Sequence, residues 1–276
     1  MKIKLICIDM DGTLLENEHN VPEENKKSIK EALDKGIHVA ITTGRVYNIA
    51  KVYSDLIGLK TPIIASNGAY IGGSNGEELY KNPMSKSEVE DFYNIADKYN
   101  LVAYLSVKSG IVSLKELPKD NMYMKINKDL PEKQQATLER FESVDRVFEK
   151  YPNDILKGIC IENMDKGKLK NAREDLNRLN GNLEIAASWS NNFEVMKKNS
   201  SKGFAVEKLG EMLNISRENI MCIGDSENDL SMIRYAGIGV AMRNATDYIK
   251  GEADYVTDSN VNSGVAKAIR RYALNL

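Results

Sequence analysis

Polar residues that suit metal or phosphoryl chemistry follow short apolar runs at several points along the chain. The main candidates are Asp9, Asp11, Thr43, Asp225 and Asp229. If these residues converge, their carboxylates repel one another, so the cluster is tolerated only when a cation is present or some carboxyls are protonated. Hard oxygen ligands in an open site favour Mg²⁺. The pattern therefore predicts a magnesium site assembled from distant parts of the chain.

The N-terminal part of the chain contains the elements that would bring these residues together. Apolar, β-prone runs at residues 3–8, 37–41 and 62–65 alternate with helical patterns at residues 22–35 and in a segment ending near residue 56. Alternating strands and helices are typical of parallel βαβ units. In a doubly wound sheet the ligand site lies beyond the carboxyl ends of the strands, which is where the polar turns occur.

The pattern changes between about residue 83 and residue 198. Polar helices alternate there with strands whose two faces differ in polarity, which favours a separate α+β domain. The predicted helices lie at 86–99, 131–141 and 166–179, and the predicted strands at 102–107, 155–162, 183–188 and 193–196. The βαβ pattern then resumes, with helices at 202–213 and 264–274 and strands at 220–223, 238–241 and 254–256. We therefore predict a doubly wound, Rossmann-like parallel-sheet α/β core of residues 1–82 and 199–276, with residues 83–198 inserted as an α+β domain.

Composition limits the classes of partner. The 276 residues have a formal net charge of -2, and 42% are hydrophobic and 28% charged, as in an ordinary soluble globular protein. Charges of both signs are interspersed, so we expect neither nucleic acid nor a membrane as a partner. The three separated cysteines, Cys7, Cys160 and Cys222, favour buried free thiols over disulfides or a zinc site. We expect a cytoplasmic protein, and the wealth of Lys, Asn and Ile indicates an AT-rich bacterial genome.

Four segments together resemble the motifs of the haloacid dehalogenase-like phosphatases. They are Asp-x-Asp-Gly-Thr-Leu at residues 9–14, Thr-Gly-Arg at 43–45, Ser-Lys-Gly at 201–203 and Gly-Asp-Ser-Glu-Asn-Asp at 224–229. They occur in the order of the family's motifs, and the long interval between the second and third leaves room for a large inserted cap domain. This layout resembles the Cof-type branch of the family.

The resemblance implies a role for each motif residue. Asp9 would attack phosphorus and form an aspartyl-phosphate, while Asp11 would protonate the leaving alcohol and later activate water. The carboxylates of Asp9 and Asp225 and the backbone carbonyl of Asp11 would bind Mg²⁺. The implied phosphate-binding residues are Thr43, Gly44, Lys202 and Asn228, and Asp229 would orient Lys202 or a water on the metal.

The resemblance also implies the class of substrate. A large cap that excludes water suits a small phosphorylated metabolite, and a sugar phosphate is the expected substrate, with broad specificity. Two alternatives use the same fold, namely a phosphomutase and a non-catalytic regulator that binds a phosphometabolite. The position of the cap disfavours the mutase, and the intact motif residues disfavour the regulator. We expect a monomer or a weak homo-oligomer.

Other conspicuous residues are interpreted without a role in chemistry. His19 and His38 are expected to be structural. Trp189, with Asn191 and Asn192, suits either a substrate pocket or a surface hairpin loop, and the surface loop is the favoured interpretation.

Overall fold

The computed structural model describes residues 2–17, 20–56, 58–179 and 181–276, and the described strands form two sheets. The strands are β1 (Leu5–Asp9), β2 (His38–Thr42), β3 (Ile63–Ala65), β4 (Tyr70–Gly72), β5 (Glu78–Lys81), β6 (Val102–Val107), β7 (Gly110–Ser113), β8 (Thr137–Arg140), β9 (Lys157–Ile161), β10 (Leu183–Ala186), β11 (Asn192–Lys197), β12 (Ile220–Gly224), β13 (Ile238–Ala241) and β14 (Tyr255–Val256).

The helices lie between these strands. They are α1 (Glu23–Asp34), α2 (Tyr47–Leu56), α3 (Lys86–Lys98), α4 (Met122–Lys128), α5 (Val144–Lys150), α6 (Lys166–Leu179), α7 (Lys202–Met212), α8 (Leu230–Tyr235), α9 (Asp247–Gly251) and α10 (Gly264–Ala268). Shorter 3₁₀ or π turns occur at Met10–Leu14, Ser66–Gly68, Glu132–Gln134, Arg217–Asn219, Glu227–Asp229, Asn260–Asn262 and Ile269–Leu274.

The first sheet has eight strands in the order β14-β13-β12-β1-β2-β3-β4-β5. Neighbouring strands from β14 to β3 run parallel, and β4 and β5 add an antiparallel edge. The chain order reverses around β1, which pairs with β12 on one side and β2 on the other. Such a reversal is the point at which doubly wound sheets bind ligands. The predicted fold class is therefore confirmed, with an antiparallel edge that the sequence did not indicate.

Both faces of β1 are buried, which explains its nearly continuous apolar sequence. Ile6 and Ile8 belong to the apolar cluster that includes residues of α1 and α10. Leu5 and Cys7 point to the opposite face and join the cluster that includes residues of α7. Because successive side chains of a strand point to opposite faces, this one segment connects the two helical layers of the core.

The second sheet has six strands in the order β10-β11-β9-β6-β7-β8, all from the middle of the chain. Its neighbours are antiparallel except for the β7–β8 pair. One face of this sheet packs on α3 and α6 through a cluster that includes Phe92, Leu176, Cys160 and Val195. This arrangement is the inserted α+β cap that the sequence predicted.

The chain passes between the two sheets at two points that lie side by side. The side chain of Asn82, which follows β5, donates from Nδ2 to the carbonyl oxygen of Lys198 and to Ser200 Oγ, both at 2.9 Å. The outgoing and returning segments are therefore tied together by one amide.

The predicted helix at residues 131–141 is wrong. A 3₁₀ turn at Glu132–Gln134 follows Pro131, and the chain then forms β8, which pairs with β7. Sheet pairing overrides a helix-prone but short polar segment here. The sequence also did not reveal β4, β5, β7, α4, α5, α8 or α9, which are elements of three to seven residues.

The three cysteines are buried and free, as predicted. His38 lies exposed at the start of β2, and His19 lies outside the described residues. Among the helices of the described ranges, none combines the length and apolarity required to cross a bilayer.

Candidate active site

Three aspartates from two distant strands meet at the carboxyl edge of the first sheet. Asp9 ends β1, and Asp225 and Asp229 follow β12. Each contributes a carboxylate oxygen, and these oxygens all lie within 4.8 Å of one another. Gly12 permits this approach because its φ is +80° and a Cβ there would lie 2.6 Å from Asp225 Oδ2.

Lys202, the first residue of α7, lies between two of these aspartates. Its Nζ donates to Asp9 Oδ1 and to Asp229 Oδ1, each at 2.5 Å. The Lys202 side chain is completely buried, as is that of Asp229. One lysine thus joins the ends of β1 and β12 to the start of a helix that is distant in sequence.

The carboxylates outnumber the lysine, and burial together with repulsion shifts the pKa values of Asp9 and Asp225. Burial, followed by repulsion from Asp229, raises the pKa of the Asp9 carboxyl well above its usual value, although Lys202 opposes the shift. Burial and repulsion from Asp229 raise the pKa of Asp225 to about 6. Burial alone would lower the pKa of Lys202, but attraction to Asp229 and Asp9 raises it above its usual value. The cluster therefore carries more negative charge than its own lysine neutralises.

Hydrogen bonds hold the two aspartates of the fourth motif in place. Asp229 Oδ2 accepts from the backbone N–H groups of Asp225 and Ser226, both at 2.9 Å. Asp225 Oδ1 accepts from Thr13 Oγ1 at 2.7 Å, and Asp225 Oδ2 accepts from Ser226 Oγ at 3.0 Å. Asp229 thus orients both Lys202 and the loop that carries Asp225.

The carboxylate of Asp11 forms an ion pair with Arg45. Arg45 Nη2 lies 2.5 Å from Asp11 Oδ1, and Arg45 Nε lies 2.9 Å from Asp11 Oδ2. The buried guanidinium also stacks over the Tyr53 ring, 4.6 Å from its centroid. Asp11 therefore lies beside the Asp9 cluster without its carboxylate joining that cluster. Arg45 belongs to the second motif, but the sequence alone indicated no role for its side chain.

The predicted phosphate-binding residues lie close to Asp9 in different settings. Gly44 and Asn228 line the same cavity as Asp9 and Asp11, whereas Thr43 and Lys202 are buried. Thr43 Oγ1 accepts from the backbone N–H of Arg45 at 3.1 Å.

Asn228 is held by two hydrogen bonds. Its Nδ2 donates to Asn67 Oδ1 at 3.1 Å and to Ser188 Oγ at 3.0 Å. Because Ser188 belongs to the cap, this amide connects the fourth motif to the second sheet.

The cap covers this edge of the first sheet and encloses a cavity of about 670 Å³. Its wall combines aromatic, aliphatic and polar side chains. They include Tyr104, Met122, Tyr123, Lys125, Lys157, Ile159, Ile161, Ser188, Trp189, Asn191, Asn192 and Glu194. Trp189 and Asn191 lie in the loop of the antiparallel β10–β11 hairpin, which Asn192 closes, as the favoured interpretation predicted, and the Trp189 side chain is 65% exposed. All three residues also border the cavity.

The family follows from this fold and from sequence comparison. A family model described as haloacid dehalogenase-like hydrolase matches residues 6–269. The chain belongs to this family, in its Cof-type branch, as the motifs predicted. It is a phosphoric monoester hydrolase, since it is similar over nearly its whole length to relatives that are named phosphatases.

Two relatives and one solved structure illustrate the similarity. The 5-amino-6-(5-phospho-D-ribitylamino)uracil phosphatase YcsE of Bacillus subtilis (strain 168) is 34% identical, over 99% of this chain and 96% of its own length. YwtE of the same organism, which has the same enzyme name, is 32% identical over 96% of each chain. The structure of a haloacid dehalogenase-like hydrolase from B. subtilis has a TM-score of 0.86 and 30% identity, covering 98% of this chain and 100% of that chain.

Replacing Lys202 tests the electrostatic balance of the cluster. We expect Lys202→Met to lower the free energy of unfolding by about 3–5 kcal/mol at about pH 7.5, because it leaves buried carboxylates without their cation. The raised pKa of Asp9 should rise further. The folded variant then takes up protons that the unfolded chain does not. Its loss of unfolding free energy relative to wild type should therefore be smaller at about pH 5.5.

Urea unfolding of wild type and variant at the two pH values measures this difference. Lys208→Met is the matched control, because Lys208 lies on the same helix in an exposed pair with Glu211. The electrostatic account is contradicted if Lys202→Met loses no more unfolding free energy than the control. It is also contradicted if that loss grows at the lower pH.

Proposed function

We propose that the chain hydrolyses a small phosphorylated metabolite with Mg²⁺, through an aspartyl-phosphate on Asp9. The observation that carries this proposal is the placement of Asp9. Its carboxylate lies between Lys202 and Asp225 and borders the cavity beneath the cap. A carboxylate held in this way can attack phosphorus, while the neighbouring cation offsets the charge of the incoming phosphate.

The charge and ligand chemistry of the cluster fit Mg²⁺. Asp9, Asp225 and Asp229 offer only oxygen atoms, which hard divalent cations prefer. Burial, followed by repulsion from Asp229, raises the pKa of Asp9 and of Asp225, so a divalent cation there would stabilise their charged forms. We assign Asp9, Asp225 and the backbone carbonyl of Asp11 as the residues that would hold the ion. When bound, Mg²⁺ would screen the phosphate from Asp9 and stabilise charge on the transferred group.

The other motif residues have complementary roles in the proposal. Thr43, the Gly44 amide, Lys202 and Asn228 bind phosphoryl oxygens, while Asp229 keeps Lys202 in position. Lys202 is suited to this because it remains cationic next to Asp9. Oriented donors of this kind stabilise the charge that spreads over phosphoryl oxygens during transfer.

Asp11 acts in the proposal as the acid for the leaving alcohol and then as the base for water. The Asp11 side chain is one-third exposed and lines the cavity, two residues after Asp9 in the sequence. To transfer a proton, the carboxyl must exchange the ion pair with Arg45 for a contact with the substrate. Arg45 therefore holds Asp11 at the edge of the site before substrate binds.

We further propose that the core comprises residues 1–82 and 199–276 and the cap residues 83–198. All strands of the first sheet lie before or after that interval, and all strands of the second lie inside it. The hydrogen bonds of Asn82 to Lys198 and Ser200 support boundaries at these two adjacent crossings. The cytoplasmic location and the monomeric or weakly oligomeric state remain predictions of the sequence.

For the substrate, we propose a phosphorylated sugar or sugar alcohol. YcsE and YwtE are named for a compound that joins a phosphorylated ribityl chain to a uracil ring. The cavity suits such a molecule, because polar groups such as Asn191 lie beside Tyr104 and Trp189 in its wall. Polar groups would bind the hydroxyls of the chain, and aromatic rings would pack on a planar group.

Replacement of the nucleophile is the first test. We expect wild type to hydrolyse p-nitrophenyl phosphate with Mg²⁺ and to stop when the ion is chelated. Asp9→Asn should lower kcat by about a thousandfold or more, because an amide cannot accept the phosphoryl group. Asp247→Asn, in an exposed position on α9, is the control and should retain activity. Clear turnover by Asp9→Asn contradicts the mechanism, and phosphate binding without turnover by wild type favours the regulator.

The dependence on leaving group tests Asp11. Asp11→Asn should reduce kcat/KM by about a hundredfold more for an alkyl phosphate than for p-nitrophenyl phosphate, because a poor leaving group needs the proton most. Asp9→Asn is the comparison, since it should impair both substrates equally. Equal losses in Asp11→Asn would count against its role as the acid.

A panel of phosphorylated metabolites measured as kcat/KM tests the substrate class. It should include hexose and pentose phosphates, flavin mononucleotide, pyridoxal phosphate and 5-amino-6-(5-phospho-D-ribitylamino)uracil. We expect a phosphorylated sugar or ribityl compound to rank first. Trp189→Ala should lower kcat/KM for ring-bearing compounds by about tenfold relative to simple sugar phosphates, whereas Met164→Ala, another exposed apolar residue of the cap, should preserve the ranking. A panel led by compounds without a sugar-derived chain would refute the proposed class.

A further inference from the structure

A buried ion pair of the cap reaches the second motif of the core. Lys157 on β9 and Glu194 on β11 form a hydrogen-bonded ion pair, and their side chains are only 2% and 5% exposed. Neither residue belongs to the four motifs. A buried ion pair seldom stabilises a fold more than apolar side chains of similar size, so stability alone does not explain this pair.

Both members of the pair make hydrogen bonds to loops of the first sheet. Lys157 Nζ donates to the backbone carbonyl oxygen of Gly44 at 2.6 Å. Glu194 Oε2 accepts from Asn67 Nδ2 at 2.8 Å. The pair therefore joins the cap to two turns that follow parallel strands of the core, next to Asp9.

A second connection runs through Ser188. Ser188 Oγ donates to Glu194 and accepts from Asn228 Nδ2. Burial alone would raise the pKa of Glu194, but Lys157, Ser188 and Asn67 together lower it below its usual value. Glu194 is thus held as a carboxylate, and its partners in both halves of the protein are fixed by charge-assisted hydrogen bonds.

We propose that Lys157 is a positioning residue that orients the Thr43 hydroxyl for the phosphoryl group; this rests on the proposed function, in which Thr43 binds phosphate. The peptide group between Gly44 and Arg45 connects the two side chains. Its carbonyl accepts from Lys157, and its N–H donates to Thr43 Oγ1 at 3.1 Å. Thr43 Oγ1 accepts this bond, so its own proton can be donated to a phosphoryl oxygen. The cationic donor at the carbonyl strengthens the bond at the N–H by polarising the peptide.

The absence of a side chain at residue 44 leaves room for the groups around this contact. A Cβ on Gly44 would lie 3.0 Å from Asn67 Oδ1 and 3.4 Å from Lys157 Nζ. The Asn67 amide, which also bonds Glu194, would then have to shift by a few tenths of an ångström, whereas the distance to Lys157 is an ordinary contact. The cap and the phosphate-binding turn therefore form one unit, and phosphate affinity depends on a cap lysine that acts through the backbone.

Titration with inorganic phosphate tests this inference without requiring turnover. Calorimetry on the full chain with Mg²⁺ should show that Lys157→Met raises the Kd for phosphate about tenfold. The KM for p-nitrophenyl phosphate should rise by the same factor, with a smaller change in kcat. The double variant Lys157→Met/Glu194→Gln removes both charges and retains an oxygen for Asn67. It should show the same loss of phosphate affinity while avoiding an unpaired buried carboxylate.

Arg173→Met is the matched control, because Arg173 is also a cap residue that forms an ion pair with the core. Its Nη2 lies 2.6 Å from Glu227 Oε1, and Arg173 does not line the cavity. Its Kd for phosphate should stay within about twofold of wild type. A double variant that binds phosphate as tightly as wild type overturns the inference and leaves the proposed function intact. A wild-type protein that neither binds phosphate nor hydrolyses esters overturns the proposed function and this inference with it.

Discussion

The burial of one lysine between two aspartates is the constraint on which the active-site edge depends. Asp9 ends the central strand, Asp229 lies in the turn after β12, and Lys202 begins α7. Separating these groups would leave charges in the interior without partners, which is far more costly than leaving them at the surface. The same arrangement keeps the site short of positive charge, since one lysine faces three carboxylates. The contacts that stabilise this edge of the fold are therefore also those on which the proposed binding of a cation depends.

The cavity divides its chemistry between the two sheets. The first sheet provides the acidic floor around Asp9 and Asp225, where backbone and charged groups are held rigidly by strand ends. The second sheet provides the wall, with side chains such as Tyr104 and Ile159 at alternating strand positions. The opposite face of that sheet packs on its own helices. Tyr104 and Ile159 also belong to the apolar cluster that contains Ile6 and Ile8 of β1, so a change at these wall positions also alters packing that the core shares.

The core site could be predicted from sequence because parallel strands fix where their carboxyl ends meet. Asp9, Thr43 and Asp225 each follow an apolar run, so their proximity required only the correct sheet order. The alternation of residues on β9 predicts one polar face but does not show whether that face meets solvent or a second domain. The contact of Lys157 with Gly44 therefore could not be predicted. The ion pair of Asp11 with Arg45 depends on the turn after β1, whose dihedral angles no sequence pattern specifies. Residues 131–141 show the same limit, since partner strands decide the conformation of a polar segment.

Asn82 has a consequence for how such a protein can diversify. Its amide ties the outgoing segment to Lys198 and Ser200 on the returning one, so the inserted domain leaves and re-enters the core at a single place. When the two ends of an inserted domain lie next to each other, the core restricts neither the length nor the shape of that domain. The core requires only that the two ends stay close together. Gene rearrangement can therefore exchange the whole cap domain in one event. In such an exchange the residues at the carboxyl edge of the first sheet would stay in place, and the new domain would present different side chains to the substrate.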